Sequence, residues 1–287
     1  MIKGNRESEV RRIARVTFSR PIVIVSAVMV GICVLTASFA PLLAPYPPNE
    51  PNFTELLQQP SRKHLLGTDE LGRDLLSRII YGSRISLLVG VFAVLIAGML
   101  GMSLGLVAGY FGGWIETVIM RFIDAVMAFP PILLALAIAT MLGGGLRNVL
   151  IALGMAMLPT YCRLMCGQII SLKQRDYITA ARILGASNLR IMARHLLVNA
   201  FPPMLVLLTI NIGTAILSES SLSFLGIGIL PPTATWGNMV SGGYKHLLRN
   251  PILSFAPGGA IILVVLSLNI LGDGLRDALD PRLRGRI

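Results

Sequence analysis

The stretch Ile85–Tyr110, ISLLVGVFAVLIAGMLGMSLGLVAGY, carries no charged residue. A bilayer core of about 30 Å needs about 20 apolar residues in a helix, and this run exceeds that length. In lipid, backbone N–H and C=O groups must be satisfied within the segment, so a single run of this kind must be helical. Gly101, Gly105 and Gly109 recur at i, i+4 and i+8. They put a strip without side chains on one face. Small residues at that spacing let a second helix come close, so the strip is expected to meet another helix, in this chain or in a partner.

Working outward, five more segments have the length and polarity of spans. They are about Pro21–Leu43, Val118–Leu142, Asn148–Ile170, Ala200–Leu217 and Pro251–Leu271. Arg121 and Asp124 lie near the start of the third, and Arg163 interrupts the fourth. Pro130–Pro131 and Pro202–Pro203 are expected to kink or start helices. The uncharged Pro21–Ala40 follows a basic run and exceeds the roughly 7–15 residues of a signal-peptide core, so it reads as a retained first span. Composition agrees. Of 287 residues, 54% are hydrophobic and 14% charged, against about 25% charged in soluble domains. The expected fold is an all-α membrane protein with six transmembrane helices, folded as one domain.

Lys and Arg set the orientation. With the N-terminus inside, the arm holds Lys3, Arg6, Arg11, Arg12, Arg15 and Arg20. The end of span four and the loop after it hold Arg163, Lys173, Arg175, Arg182, Arg190 and Arg194, and the tail holds Arg276, Arg282, Arg284 and Arg286. Most of the outer basic residues sit in Pro45–Arg84 beside Glu50, Glu55, Asp69, Glu70 and Asp74. Both termini are therefore expected in the cytoplasm. The same asymmetry accounts for the net charge of +11. With aromatics at 6% and no stacking platform among the basic residues, nucleic-acid binding is not indicated.

The inner loop Ser171–Asn199 is the exception to the grease around it. Ser171 is positioned to cap a short helix running to Leu184, Gly185 to end it in a left-handed turn, and Ser187 to cap a second helix, Asn188–Val198. Ala180, Ala181 and Gly185 leave a bare surface ringed by basic residues. A smooth cytoplasmic face of this kind suits close contact with another protein.

Thr179–Ala180–Ala181, then Gly185, then His195–Val198 resemble the E-A-A-x-x-x-G…I-x-L-P loop of bacterial ABC-importer permeases. Thr179, His195 and Val198 depart from that pattern, and the lost Glu removes one possible ion pair with an ATPase. Four further stretches resemble the dipeptide/oligopeptide/nickel branch, C-type subunit: His64–Gly90, Ala108–Asp124, Phe224–Met239 and Leu268–Arg284. The resemblance implies a type I ABC-importer permease fold with a cytoplasmic coupling helix in the inner membrane. It implies an arm (1–20), a first span with an outer loop (21–84) and a permease core (85–287) carrying the coupling loop (171–199). The implied function is half of a transmembrane pathway for di- or oligopeptides, with nickel or a metal chelate as the alternative cargo. The implied partners are a second homologous permease, two ATP-binding subunits holding ATP and Mg²⁺, and an extracytoplasmic substrate-binding protein. On this resemblance Tyr177, Thr179, Ala180, Ala181, Gly185 and Ala186 are the ATPase-coupling residues.

Polar residues inside spans are functional candidates. Asn211, Thr214 and Glu219 form a polar stripe on span five and are candidates for the translocation path. Arg121 and Asp124, at i, i+3, are expected to pair with each other as a structural pair or a gate. Asn269 is expected to hydrogen-bond between helices. Leu75, Leu76, Ile79 and Ile80 share a face of an outer amphipathic helix, with Arg73, Asp74, Ser77 and Arg84 facing elsewhere.

No bond chemistry is expected of this chain. GTDELGRD, Gly67–Asp74, has P-loop glycines but Arg73–Asp74 where Lys and Ser/Thr are needed, so ATP belongs to another chain and no cofactor is expected in this one. No H-E-x-x-H occurs, and His64, His195 and His246 fall in separate loops, so no metal site or catalytic residue is indicated. Cys33, Cys162 and Cys166 read as small packing residues. A secondary carrier is the alternative of another class, but such carriers usually show internal repeats, and none is visible.

Overall fold

The computed structural model describes residues 16–18 and 20–279. Lys3, Arg6, Arg11, Arg12 and Arg15 of the arm, and Arg282, Arg284 and Arg286 of the tail, lie outside them. The helices are α1 (Pro21–Ser38), α2 (Ala40–Leu43), α3 (Leu75–Phe111), α4 (Gly113–Met127), α5 (Pro131–Leu142), α6 (Leu146–Lys173), α7 (Asp176–Ile183), α8 (Asn188–Phe224), α9 (Trp236–Tyr244) and α10 (Ile252–Leu279). A widened π turn at Ile191–Leu196 lies within α8.

Helices α1, α3, α6, α8 and α10 are long and apolar enough to cross a membrane. The third span is not the continuous rod that hydropathy suggests. It is α4 and α5, bent by 88° at their break, and the count reaches six when that pair is taken as one span. Pro130 takes an extended ψ of 131° and Pro131 opens α5. Proline lacks the N–H that would continue the ladder and its ring clashes with the carbonyl a turn earlier. Pro202 and Pro203 behave differently: they sit inside α8 without ending it.

The glycine strip of α3 meets α6 of the same chain. A Cβ on Gly101 would lie 2.6 Å from the Leu158 carbonyl oxygen, and one on Gly109 2.8 Å from that of Cys166. One on Gly105 would strike the Cys162 carbonyl oxygen. Cys162 and Cys166 are free and buried; their carbonyls face the strip, and Cys162 packs in a cluster with Ile123 and Leu158.

The N-terminal end of α3 reverses one expectation. Arg73, Asp74 and Ser77, read as facing away from the apolar side, are buried, as is Arg78, while Leu76, Ile79 and Ile80 are only half-buried. The buried polar groups are satisfied by the outer loop, which folds over them. Asp74 accepts from the Ser77 amide at 2.8 Å and from its hydroxyl at 2.7 Å, capping α3, and lies 2.9 Å from His64 Nδ1. Arg73 pairs with Asp69 at 2.8 Å, and Arg78 donates to the Pro48 carbonyl at 2.6 Å. Each of these side chains thus has a partner, as burial demands, although Arg78 Nε itself makes no hydrogen bond among the described residues. The P-loop-like glycines serve this turn: Gly67 and Gly72 have φ of +82° and +72°, and their missing side chains let the backbones of Gln58 and Asn52 pass. Trp236 of α9 closes the region, donating its indole N–H to the Ile79 carbonyl at 3.0 Å across Gly82.

Candidate functional site: the loop between α6 and α8

Helix α6 continues through Ser171 to Lys173, so Ser171 lies in its last turn and does not cap α7. Arg175 precedes α7, which begins at Asp176. The stop of α7 follows from Gly185. With φ of +78° it takes the left-handed cap position that L side chains avoid. The Ala186 amide donates to the Ala181 carbonyl at 3.0 Å and the Gly185 amide to that of Arg182 at 2.9 Å, the paired bonds of a Schellman ending. Ser187 then accepts from the Arg190 amide at 3.4 Å, capping α8 as expected. The second helix does not stop at Val198. It runs unbroken as α8 into span five, so the turn after α7 feeds directly into a membrane helix.

One face of the loop is fastened down. Ile178 is fully buried in a cluster with Tyr110, Met165, Ile169, Ile191, Leu196, Ala200 and Met204. Tyr110, at the end of α3, sits at the junction. Its hydroxyl donates to Asn188 Oδ1 at 2.7 Å, and its carbonyl accepts from Lys173 Nζ at 2.5 Å. Lys173 Nζ and Arg182 Cζ each lie 5.7 Å from its ring, within cation–π range. The ends of α3 and α6, the last turn of α7 and the start of α8 therefore share one side chain. Sequence reading passed over Tyr110 because it looks like the last apolar residue of a span.

The other face is open. Tyr177, Thr179, Ala180 and Gly185 are exposed, and Ala181 and Ala186 are half-buried. Beside them Ile183, Leu184 and Leu189 are 81%, 86% and 73% exposed, and Arg175, Arg182, Arg190 and Arg194 are exposed around them. The surface is thus a bare patch with apolar knobs and a basic rim. An apolar surface rimmed by polar residues marks an interaction site. Ile183 and Leu184 fall at the unspecified positions between Ala181 and Gly185, and Leu189 lies beyond Gly185, so the small-residue motif did not single them out.

The other candidate residues are not brought together as the sequence suggested. Asp124 pairs with Arg163 of α6 at 2.5 Å, not with Arg121. Arg121 is exposed and has no ion pair among the described residues. The helix spacing allows the i, i+3 pair, but the long Arg163 side chain reaches across from the neighbouring helix. Asn211, Thr214 and Glu219 do not form one stripe. Asn211 donates to the Tyr161 hydroxyl at 2.9 Å, Thr214 is exposed, and Glu219 is fully buried, accepting from Ser223 Oγ at 2.7 Å. Ser223 Oγ also accepts from the Ile229 amide at 3.2 Å, so Glu219 fastens the outer loop to span five. Asn269 Oδ1 has no hydrogen-bond partner among the described residues, so the expected interhelical bond is not made through that atom.

Residues 101–285 match the family described as binding-protein-dependent transport system inner membrane component, and residues 8–60 match the N-terminal transmembrane domain of oligopeptide transport permease C. The chain is 45% identical to the dipeptide transport system permease protein DppC of Alkalihalophilus pseudofirmus, over 91% of this chain and 86% of that one. It is 42% identical to the glutathione transport system permease protein GsiD of Pectobacterium atrosepticum, over 92% and 88%. It is 40% identical to the probable D,D-dipeptide transport system permease protein DdpC of Escherichia coli, over 93% and 89%. A chain of the MetNI methionine ABC transporter, solved in inward-facing conformations, has the same fold at a TM-score of 0.59 and 16% identity, over 72% of this chain and 98% of that one. A glycine-seamed helical bundle, a Schellman-ended loop helix feeding span five, and these matches over most of the chain lead to one assignment: the chain belongs to the binding-protein-dependent transport system inner membrane components, the permease subunits of ABC importers.

Proposed function

We propose that this permease forms half of the transmembrane pathway of an ATP-driven importer of di- or oligopeptides. The observation that carries the reading is the loop helix α7: one face is locked to three membrane helices through Tyr110 and Ile178, and the other is open, bare and apolar. Tyr177, Thr179, Ala180, Ala181, Gly185 and Ala186 present that face to an ATP-binding subunit, with Ile183 and Leu184 as its anchors. Two such subunits hydrolyse ATP with Mg²⁺, and a second homologous permease completes the pathway. A substrate-binding protein delivers cargo outside. The arm 1–20 and both termini are cytoplasmic, span one and the outer loop (21–84) precede the core, and 85–287 form the permease core.

The geometry gives a route for the motion. A partner that moves α7 drags Ile178 and the Tyr110 junction. Because α8 starts three residues after Gly185 and is continuous to Phe224, displacement at the loop tilts a membrane helix without an intervening flexible linker. The peptide cargo is supported by the names of the relatives, which specify a dipeptide, a D,D-dipeptide and glutathione. The test is co-purification of the tagged chain from its native membrane. The reading expects a second permease and two ATP-binding subunits with it, and peptide uptake that stops when ATP hydrolysis is blocked. A stable species lacking all of them, or uptake driven by an ion gradient alone, would overturn it.

A further inference from the structure

The exposed face of the C-terminal half of α6 is mostly polar where a lipid-facing helix would be apolar, with Ile170 the large apolar side chain on it. Thr160, Arg163, Gly167 and Ser171 recur at helical spacing and are all exposed, while the opposite face is buried against α3. Arg163 lies ten residues from the end of α6 at Lys173, about 15 Å at 1.5 Å per residue. At 28 residues α6 is longer than a roughly 30 Å bilayer core needs, so Arg163 lies inside the core, in its cytoplasmic half. Its partner Asp124 sits on α4, and the two side chains are 53% and 46% exposed. Charged groups at that depth face a bundle interior or a water-filled cavity, not lipid. Arg121, one turn from Asp124, is exposed too, whereas Glu116 lies two turns nearer the Gly112–Gly113 corner and is half-buried. Arg163 takes up Asp124, and the Arg121 guanidinium, a turn away, has no ion pair among the described residues and is open to an incoming anion.

The geometry points to Arg163, with Asp124 and Arg121, as a carboxylate-receiving station on a water-filled pathway lined by this face of α6. The inference rests on the importer reading and names the residues that meet cargo within it. A free peptide always brings a C-terminal carboxylate, and a guanidinium binds carboxylates in a two-pronged geometry. Asp124 orients Arg163 while the site is empty and offers an acceptor for a cargo ammonium group once the carboxylate has displaced it.

Gly167 is a built-in reporter position. It is one turn from Arg163, and a Cβ there meets nothing within 4 Å. The three native cysteines are buried and give a low background. In the whole transporter, Gly167→Cys is treated with an anionic (sulfonatoethyl) and a cationic (trimethylammonium-ethyl) methanethiosulfonate, with and without ATP. The expected result is labelling in at least one state, faster with the anionic reagent by about tenfold, as a charged cleft concentrates its counter-ion. Arg163→Gln in the same background abolishes the preference, and Arg163→Lys retains it, which separates loss of charge from loss of folding. No labelling in any state would show a dry face packed on lipid or on the second permease. Labelling without charge preference would show a passage without the station. Either result overturns the inference, while retention of the ATP-binding subunits in the same preparation shows that the coupling reading still stands.

Discussion

Replacing Leu184 with Ala isolates the docking face from the fold. The side chain is 86% exposed, so the folded chain loses almost no burial, and the change should sit within the roughly ±0.5 kcal/mol usual for surface positions. In the proposed assembly the same side chain is an anchor. Leu→Ala removes three carbons, and at about 0.8 kcal/mol per buried CH₂ the loss is about 2.4 kcal/mol. At tenfold per 1.4 kcal/mol that is about 50-fold in affinity for the ATP-binding subunit. The assay is titration of nanodisc-held permease pair with fluorescently labelled ATP-binding subunit, the second permease left unaltered. Thermal unfolding of the variant pair is measured alongside. An unchanged unfolding midpoint with a large loss of affinity is the expected pattern. Affinity within threefold of the parent would refute the assignment of Leu184 as an anchor, and a matching fall in unfolding midpoint would show that its role is structural.

Four further outcomes follow from the same geometry. Tyr110→Phe keeps the ring between Lys173 and Arg182 but removes the bond to Asn188, at a cost of about 1 kcal/mol; amide exchange at Asn188–Arg190 should quicken while assembly is retained. Gly185→Ala forces an L side chain into the left-handed region at about 1–2 kcal/mol with open space around it, so uptake per ATP hydrolysed should fall without loss of the complex. Gly105→Ala drives a Cβ into the Cys162 carbonyl and should lower the unfolding temperature, whereas Gly167→Ala should be neutral. In the outer loop, Glu55 is held below its ordinary pKa of 4.5 by hydrogen bonds from Lys63 first and then His64. A depressed carboxylate stabilises the fold above its unfolded pKa and loses that contribution as pH falls through the folded value. The loop should therefore resist pepsin until the pH falls below the carboxyl's ordinary 4.5, and Lys63→Met should shift the onset of cleavage upward.

Much of the architecture was legible because the membrane imposes a simple rule: long uncharged runs must be helices. The strip Gly101–Gly105–Gly109 and the left-handed Gly185 could be read from spacing alone, since each depends on the lack of a side chain. The rest depended on partners distant in sequence. Arg73, Asp74 and Ser77 looked turned away from the apolar side because nothing local reveals that His64 and Asp69 would cover them. Arg163 reached Asp124 from another helix and displaced the nearer Arg121, since helical spacing ranks only neighbours within one helix. The polar residues of span five dispersed for a related reason: Tyr161 and Ser223 satisfied Asn211 and Glu219 separately. Tyr110 was hidden by its own hydrophobicity, and only the folded chain shows Lys173, Arg182 and Asn188 converging on it.

The central claim is that the exposed face of α7 is held by an ATP-hydrolysing subunit. A cysteine placed at Ala180 and treated with a short bifunctional thiol reagent in intact membranes tests it most directly. The account predicts a cross-linked product containing the ATP-binding subunit, with a yield that changes when ATP is added. Capture of no such subunit, or modification of the cysteine by an impermeant reagent applied only from outside the cell, would contradict it.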